Sequence, residues 1–104
     1  MIVQQRHPLD GDLREMARYF HALKDILRLR ILVTLAGSGE MTVTELARTL
    51  HISQPLVSFH LRPLRVLGLV KVRRAGRAVY CSANIPEIQR WQDEFVEMLN
   101  TATT

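Results

Sequence analysis

The chain has 104 residues, of which 14 are Lys or Arg and 10 are Asp or Glu, so its formal net charge is +4. This length predicts one domain over residues 1–104 with one modest core, and the positive charge favours an anionic partner such as nucleic acid. No apolar run approaches the ~20 residues of a membrane-spanning helix, and the start MIVQQRHPLDGD lacks a signal-peptide pattern, so we expect no membrane association and a cytoplasmic location.

The first two predicted elements are helices. Apolar residues recur with helical spacing over about residues 10–23, and Asp10 or Asp12 can cap the start of that helix. The next helix, over residues 26–35, is apolar nearly all round, which is typical of a helix at the centre of a core. Residues 37–39 (GSG) end it, because glycine readily adopts the left-handed C-terminal cap.

Two short helices joined by a tight turn predict a helix-turn-helix over about residues 42–67. Thr42 begins a capping box (TVTE) for the first of these helices. Ser53 is a good N-cap for the second helix, with Pro55 in its first turn. Pro63 falls inside the second helix, where it removes one backbone hydrogen bond and predicts a kink.

A β-hairpin wing is predicted over about residues 69–83. LVKVR alternates as a strand, RAGR forms the tip, and AVYCS returns as the second strand. Asn84 is a candidate cap for a last helix over about residues 85–100. The whole order predicts a mainly α fold with a β-hairpin wing, a winged helix-turn-helix (α-α-α-α-β-β-α).

Residues 46–86 contain no Asp or Glu, although seven of the chain's 14 basic residues lie there. A globular surface normally mixes both signs of charge. A one-sign segment that also shows ordered periodicity indicates a folded surface for a polyanion, and nucleic acid is the obvious one. The alternative is a solvated basic face without a partner.

The second helix of a helix-turn-helix enters the major groove, and its N-terminal residues meet base edges. Gln54 can read adenine, Ser58 can bond to either kind of base, and Phe59 can contact a thymine methyl group. The arginines of this helix are predicted to meet phosphates, and those of the wing tip can reach a narrow minor groove. The predicted contacts with double-stranded DNA are Gln54, Ser58, Phe59, Arg62, Arg65, Arg73, Arg74 and Arg77.

Two stretches, LKDILRLRILVTL and EMTVTELARTLHISQPLVSFHLRPLRVLGLVKVRRAGRAVYCS, resemble the ArsR/SmtB family of bacterial winged-helix repressors. The resemblance implies a homodimer joined by the first and last helices, and repression by operator occlusion until an inducer binds. Two-fold symmetry then predicts an operator that is an imperfect inverted repeat with half-sites about one helical turn apart. The predicted interface residues are Leu13, Met16, Phe20, Ile88, Trp91, Phe95 and Leu99.

The well-known metal sites of that family are missing from this sequence. Thr42 and Thr44 stand where arsenic- and cadmium-sensing members place cysteines, and threonine is no ligand for soft metals. The last helix contains no His, unlike that of zinc-sensing members. We therefore predict no metal site and no cofactor. A site that includes His7 and His21 stays open as an alternative, although their spacing matches no familiar ligand pattern.

The inducer is left open among no ligand, an unusual metal site, thiol chemistry and a small molecule at the dimer seam. Cys81, the single cysteine, is predicted to be a small apolar filler; the alternative is a redox sensor, which needs an exposed thiolate of low pKa. His60 is predicted to be a hydrogen-bonded structural residue, with a DNA contact as the alternative.

A DNA-binding regulator is the leading functional prediction. The alternative is a protein-interaction module that uses a winged helix without reading DNA, because Pro55 and Phe59 weaken polar base readout on the exposed face. An enzyme is not predicted, since the sequence has no nucleophile elbow, no glycine-rich phosphate loop and no recognisable carboxylate pair.

Overall fold

The computed structural model describes residues 9–103, so His7 and any metal site that includes it lie outside the described residues. Within this range the predicted winged helix-turn-helix is confirmed, and one short strand is added to it. The elements in chain order are α1 Asp10–Leu23, α2 Ile26–Ser38, β1 Met41–Thr42, α3 Val43–Leu50, α4 Gln54–Val66, β2 Val70–Ala75, β3 Ala78–Ala83 and α5 Ile85–Ala102.

The ends of α2 and α3 follow the predicted capping chemistry. Asp25 accepts a hydrogen bond from the backbone N–H of Arg28 and so caps α2, and Gly39 ends this helix with a φ of 78°. The Thr42 hydroxyl accepts from the Glu45 backbone N–H at 3.0 Å, while the Glu45 carboxylate accepts from the Thr42 backbone N–H at 3.2 Å. This capping box fixes the start of a helix that has only eight residues.

Two predicted caps are wrong. Helix α1 begins at Asp10, after Leu9. Its acidic residues therefore lie inside the first turn, where their negative charge interacts favourably with the positive end of the helix dipole. Asn84 does occupy the N-cap position of α5, but its side chain makes no capping bond. The amide instead donates to the carbonyl oxygen of Gly68 at 2.9 Å and so fastens α5 to the end of α4.

The turn between α3 and α4 is built around His51, which has a φ of 56° and ends α3 in the left-handed conformation. The Ser53 hydroxyl then accepts from the Leu56 backbone N–H at 3.2 Å and caps α4, as predicted. Helix α4 continues through Pro63 to Val66.

The wing belongs to a three-stranded antiparallel sheet with the order β1-β3-β2. Sequence analysis missed β1, because Met41 and Thr42 are also the cap of α3 and two residues carry no alternation. Met41 pairs with Cys81 from one side of β3, and Val72 pairs with Cys81 from the other. Strand β2 runs two residues further towards the tip than predicted, to Ala75, so the tip of the wing is reduced to Gly76 and Arg77.

Helix α2 packs against β3, α3 and α4, and α1 packs on α2 and α5. The Tyr19 ring stacks on the Trp91 ring with centroids 5.2 Å apart, and the Gln92 side chain donates to the Tyr19 hydroxyl at 2.6 Å. Met16 and Trp91 are 2% and 8% exposed, so both belong to the core of the single chain and depart from the predicted dimer interface. Within residues 9–103, no helix is long and apolar enough to cross a bilayer.

Candidate nucleic-acid interface

Helix α4 buries one face and leaves its N-terminal end free. Its buried residues Val57, Leu61 and Leu64 anchor it in the core. The residues on its remaining surface include Gln54, Pro55, Ser58, Phe59, Arg62, Arg65 and Val66, all of which are exposed. This placement agrees with a recognition helix, in which the N-terminal side chains must be free to meet base edges.

An open groove of about 710 Å³ lies between α3, α4 and the wing. It brings together six of the eight predicted DNA contacts. These residues are Gln54, Ser58, Arg62, Arg65, Arg74 and Arg77. None of the described residues that line this groove is acidic, so every charged side chain in its lining attracts phosphate.

Arg73 does not join this groove. Its guanidinium donates to both carboxylate oxygens of Glu40, at 2.8 Å and 2.6 Å, and lies 4.3 Å from the centroid of the Tyr80 ring. The hydrogen bond to Glu40 raises the pKa of Arg73, and the same bond lowers the pKa of Glu40. An acid from outside the acid-free stretch therefore offsets one of the seven basic residues in it.

Strand alternation explains the difference between Arg73 and Arg74. Arg73 pairs with Tyr80, and Arg74 pairs with Val79. Successive side chains of a strand point to opposite faces of the sheet, so the Arg74 and Val79 pair faces the groove and the Arg73 and Tyr80 pair faces away from it.

Phe59 also lies apart from the six groove residues. Its side chain is 57% exposed and lines a second groove, formed with α1 along the other flank of α4, together with Pro55. Ser58 and Arg62 line both grooves. Phe59 therefore lies at the edge of the surface that carries the predicted base contacts. Sequence analysis did not anticipate the second groove.

His60 has the structural role that was predicted for it. Its ring is 13% exposed, and its Nδ1 atom accepts a hydrogen bond from the Arg28 Nε atom at 3.3 Å. The carboxylate of Asp25 lies 3.9 Å from the same nitrogen, and the bond that it accepts from the Arg28 backbone lowers the pKa of Asp25. This contact ties the recognition helix to the start of α2.

Cys81 is fully buried between its two strand neighbours. Burial raises the pKa of its thiol, and the charge of Glu40 raises it further, while Arg65 opposes the shift. A reactive cysteine needs exposure and a lowered pKa, so the structure favours the packing role over the redox role. Among the described residues, no cluster of three or more His, Cys, Asp or Glu side chains is arranged to hold a metal ion.

An exposed apolar face runs along α1 and α5. Phe20 meets Phe95 edge to face, with ring centroids 5.0 Å apart. Leu13, Phe20 and Leu99 of the predicted interface are between 36% and 51% exposed. Val96, which sequence analysis missed, is 51% exposed beside them. Its position three residues before Leu99, on the same side of the helix, was the available signal.

Comparison with known proteins finds bacterial transcriptional regulators that resemble this chain. Residues 25–72 match the family described as bacterial regulatory protein, arsR family. The chain is 37% identical over 90 residues to the arsenic resistance transcriptional regulator ArsR1 of Pseudomonas putida, which spans 84% of this chain and 70% of the relative. It is 46% identical over 69 residues to a transcriptional repressor SmtB homolog of Synechocystis, covering 66% of this chain and 52% of that protein.

A solved structure resembles the fold over nearly its whole length. It is the solution structure of a homodimeric winged helix-turn-helix DNA-binding domain from Mycobacterium bovis, with a TM-score of 0.72. The two chains are 27% identical, and the match covers 96% of this chain and 91% of the other.

Proposed function

The chain belongs to the ArsR family of bacterial regulatory proteins, and from this premise we propose that it is a homodimeric repressor that binds an operator through α4 and the wing. The observation that supports the proposal best is the groove between α4 and the wing, which gathers four arginines with Gln54 and Ser58. The relatives named as repressors and the homodimeric neighbour support the regulatory outcome and the assembly.

Each group of side chains in the groove has its own part in this proposal. Gln54 and Ser58 at the start of α4 read base edges in the major groove. Arg62 and Arg65 neutralise phosphates beside that site, and Arg74 and Arg77 extend the contact to the neighbouring backbone. Phosphate contacts of this kind hold the protein in register, whereas the uncharged pair discriminates between sequences.

The homodimer is proposed to form through the exposed apolar face of α1 and α5. Two recognition helices related by a two-fold axis fit half-sites about 34–36 Å apart, so the operator is proposed to be an imperfect inverted repeat. Arsenic sensing is not part of the proposal. A soft metal needs thiolate ligands, and the chain's single cysteine, Cys81, is buried.

Fluorescence anisotropy with a DNA fragment from the protein's own promoter region tests the proposal. We expect saturable binding. The logarithm of the association constant should fall linearly with the logarithm of the salt concentration. Gln54→Ala should lose about 1–3 kcal/mol of discrimination at one base pair, whereas Gln89→Ala on α5 should not. A protein that binds no promoter DNA at low salt would instead support the protein-interaction module, which the exposure of Pro55 and Phe59 favours.

A further inference from the structure

An open groove of about 1140 Å³ lies between α1 and the flank of α4 that carries Phe59, Pro63 and Val66. Its wall is mostly apolar, and Phe59 and Val66 are 57% and 79% exposed within it. Val66 is the last residue of α4, whereas a recognition helix meets bases with its N-terminal residues. DNA reading therefore gives no reason for exposed apolar surface at this end of the helix.

The charged side chains around this groove are all basic. Arg14 and Arg18 of α1 face Arg62 of α4 across it. Arg28 and His21 also line it, and none of its described lining residues is acidic. Arg18 does contact Glu15 at 3.2 Å, but both side chains are more than half exposed, and such surface pairs are weak. The groove is thus apolar in its wall and cationic in its lining.

We propose that this groove binds an amphipathic organic anion, a carboxylate on an aliphatic or aromatic body, and that the bound anion releases the protein from DNA. At about 1140 Å³ the groove is slightly larger than the roughly 300–1,000 Å³ of typical small-molecule sites, so it has room for such a ligand. Arginine forks suit a carboxylate, and the apolar wall suits the body that carries it. A neutral or cationic ligand of the same shape leaves the arginines without a partner.

The link to DNA follows from shared residues and rests on the proposed function. Arg62 and Ser58 line both this groove and the groove beside the wing, and Phe59 lies at the edge of the reading surface. An anion held by Arg62 and packed on Phe59 removes both side chains from DNA. By thermodynamic linkage, the anion weakens DNA binding by the same factor by which DNA weakens binding of the anion.

The proposed dimer contact uses a different face of α1. Arg14 and Arg18 lie roughly 100° or more around the helix from Leu13 and Phe20, as helical geometry requires. Substitutions of Arg14 or Arg18 can therefore alter the ligand groove with little effect on the dimer seam.

Isothermal titration of the 104-residue chain with decanoate, decanamide and decylamine tests the groove. We expect decanoate to bind at least tenfold more tightly than decanamide, and decylamine not to bind. Val66→Glu should weaken decanoate binding at least tenfold. The matched control is Val33→Glu, because Val33 is 72% exposed on α2 outside the groove, and it should bind decanoate as the wild type does. Equal binding of decanoate and decylamine, or equal losses in both valine variants, would overturn the proposal.

The DNA part is measured separately. Decanoate should release promoter DNA from the wild type and from Val33→Glu. The DNA affinity of Val66→Glu, compared with its own value without decanoate, should stay unchanged when decanoate is added. Decanoate that binds without changing DNA affinity overturns the regulatory half of the proposal. If Arg14→Gln binds DNA more weakly than Arg30→Gln with no ligand present, the arginines of this groove contact DNA phosphates. That result would also overturn the regulatory half of the proposal. A wild type that never binds DNA contradicts the proposed function. The decanoate titration then still tests whether the groove binds the anion.

Discussion

Arg73 and Glu40, 33 residues apart in sequence, are joined by two hydrogen bonds of 2.8 Å and 2.6 Å at the edge of the wing. The pair leaves Arg74 and Arg77 as the wing arginines that line the groove. The three arginines are close neighbours in the sequence, but the guanidinium of Arg73 is already paired, whereas those of Arg74 and Arg77 face the groove, where a DNA phosphate could bind.

Substitution of the wing arginines should separate them by salt dependence. Arg74→Gln and Arg77→Gln should each reduce the magnitude of the negative slope of log affinity against log salt by about 0.9, because each removes one phosphate contact. Arg73→Gln should leave the slope near that of the wild type. Anisotropy titrations with promoter DNA at several salt concentrations measure these slopes.

The matched control for this prediction is Glu40→Gln, which keeps the shape of the carboxylate and removes its charge. It should free Arg73 and increase affinity for DNA, most strongly at low salt. If Arg73→Gln reduces the magnitude of the slope as much as Arg74→Gln does, Arg73 leaves Glu40 in the DNA complex and the prediction is wrong.

The apolar face of α1 and α5 should control assembly. Val96→Glu places a charge on the exposed side of α5, one helical turn from Leu99, and an unpaired charge in an apolar contact is costly. We expect sedimentation equilibrium to give a dimer for the wild type and a monomer for this variant, with weaker operator binding by the monomer. Val33→Glu on α2 should remain dimeric, and a monomeric Val33→Glu would place the seam elsewhere.

The capping box of α3 should contribute measurably to stability. Thr42→Ala removes the hydroxyl that accepts from the Glu45 backbone, and loss of an N-cap costs about 0.5–2 kcal/mol. Thr44→Ala in the same turn is the matched control and should cost less. Urea unfolding at pH 7 measures both values.

The same substitution should show a pH dependence of definite sign. The hydrogen bonds from Thr42 lower the pKa of Glu45 below its ordinary value of 4.5. The contribution of this carboxylate to stability is therefore full above about 4.5 and is lost as the pH falls through the lowered value. The difference between the wild type and Thr42→Ala should narrow as the pH falls through that window. A difference that widens there would contradict the assignment.

Cys81 should be inert in the folded protein. Because its thiol is buried and burial raises its pKa, it should react with a chromogenic disulfide reagent only when urea unfolds the chain. Peroxide should leave DNA affinity unchanged. Cys81→Ser should destabilise the fold more than Cys81→Ala, because a buried hydroxyl without a partner costs about 1–3 kcal/mol. Rapid reaction of the native thiol would restore the sensor hypothesis.

Local signals in the sequence were enough to predict the helices, the turn and the wing. Thr42 and Ser53 each accept from a backbone group three residues away, so their roles can be read from spacing. Contacts between distant segments could not be read in this way. Nothing near Arg73 in the chain indicates Glu40, and nothing near Cys81 indicates that Met41 pairs with it.

The candidate site was predicted residue by residue but not as a surface. A helical wheel places Phe59 opposite the core, yet it cannot show that α1 stands beside it and forms a second groove. The same limit applies to Trp91. Its spacing places it on the apolar face of α5 that was predicted to join the dimer interface, but its ring is covered by Tyr19 from the same chain.

The sheet order β1-β3-β2 determines how the wing meets DNA. An isolated two-stranded hairpin is only marginally ordered in water. Here β3 is held on both sides, and β1 leads directly into α3. In the DNA complex proposed above, the conformational entropy of ordering the base of the wing is therefore lost during folding and not during binding.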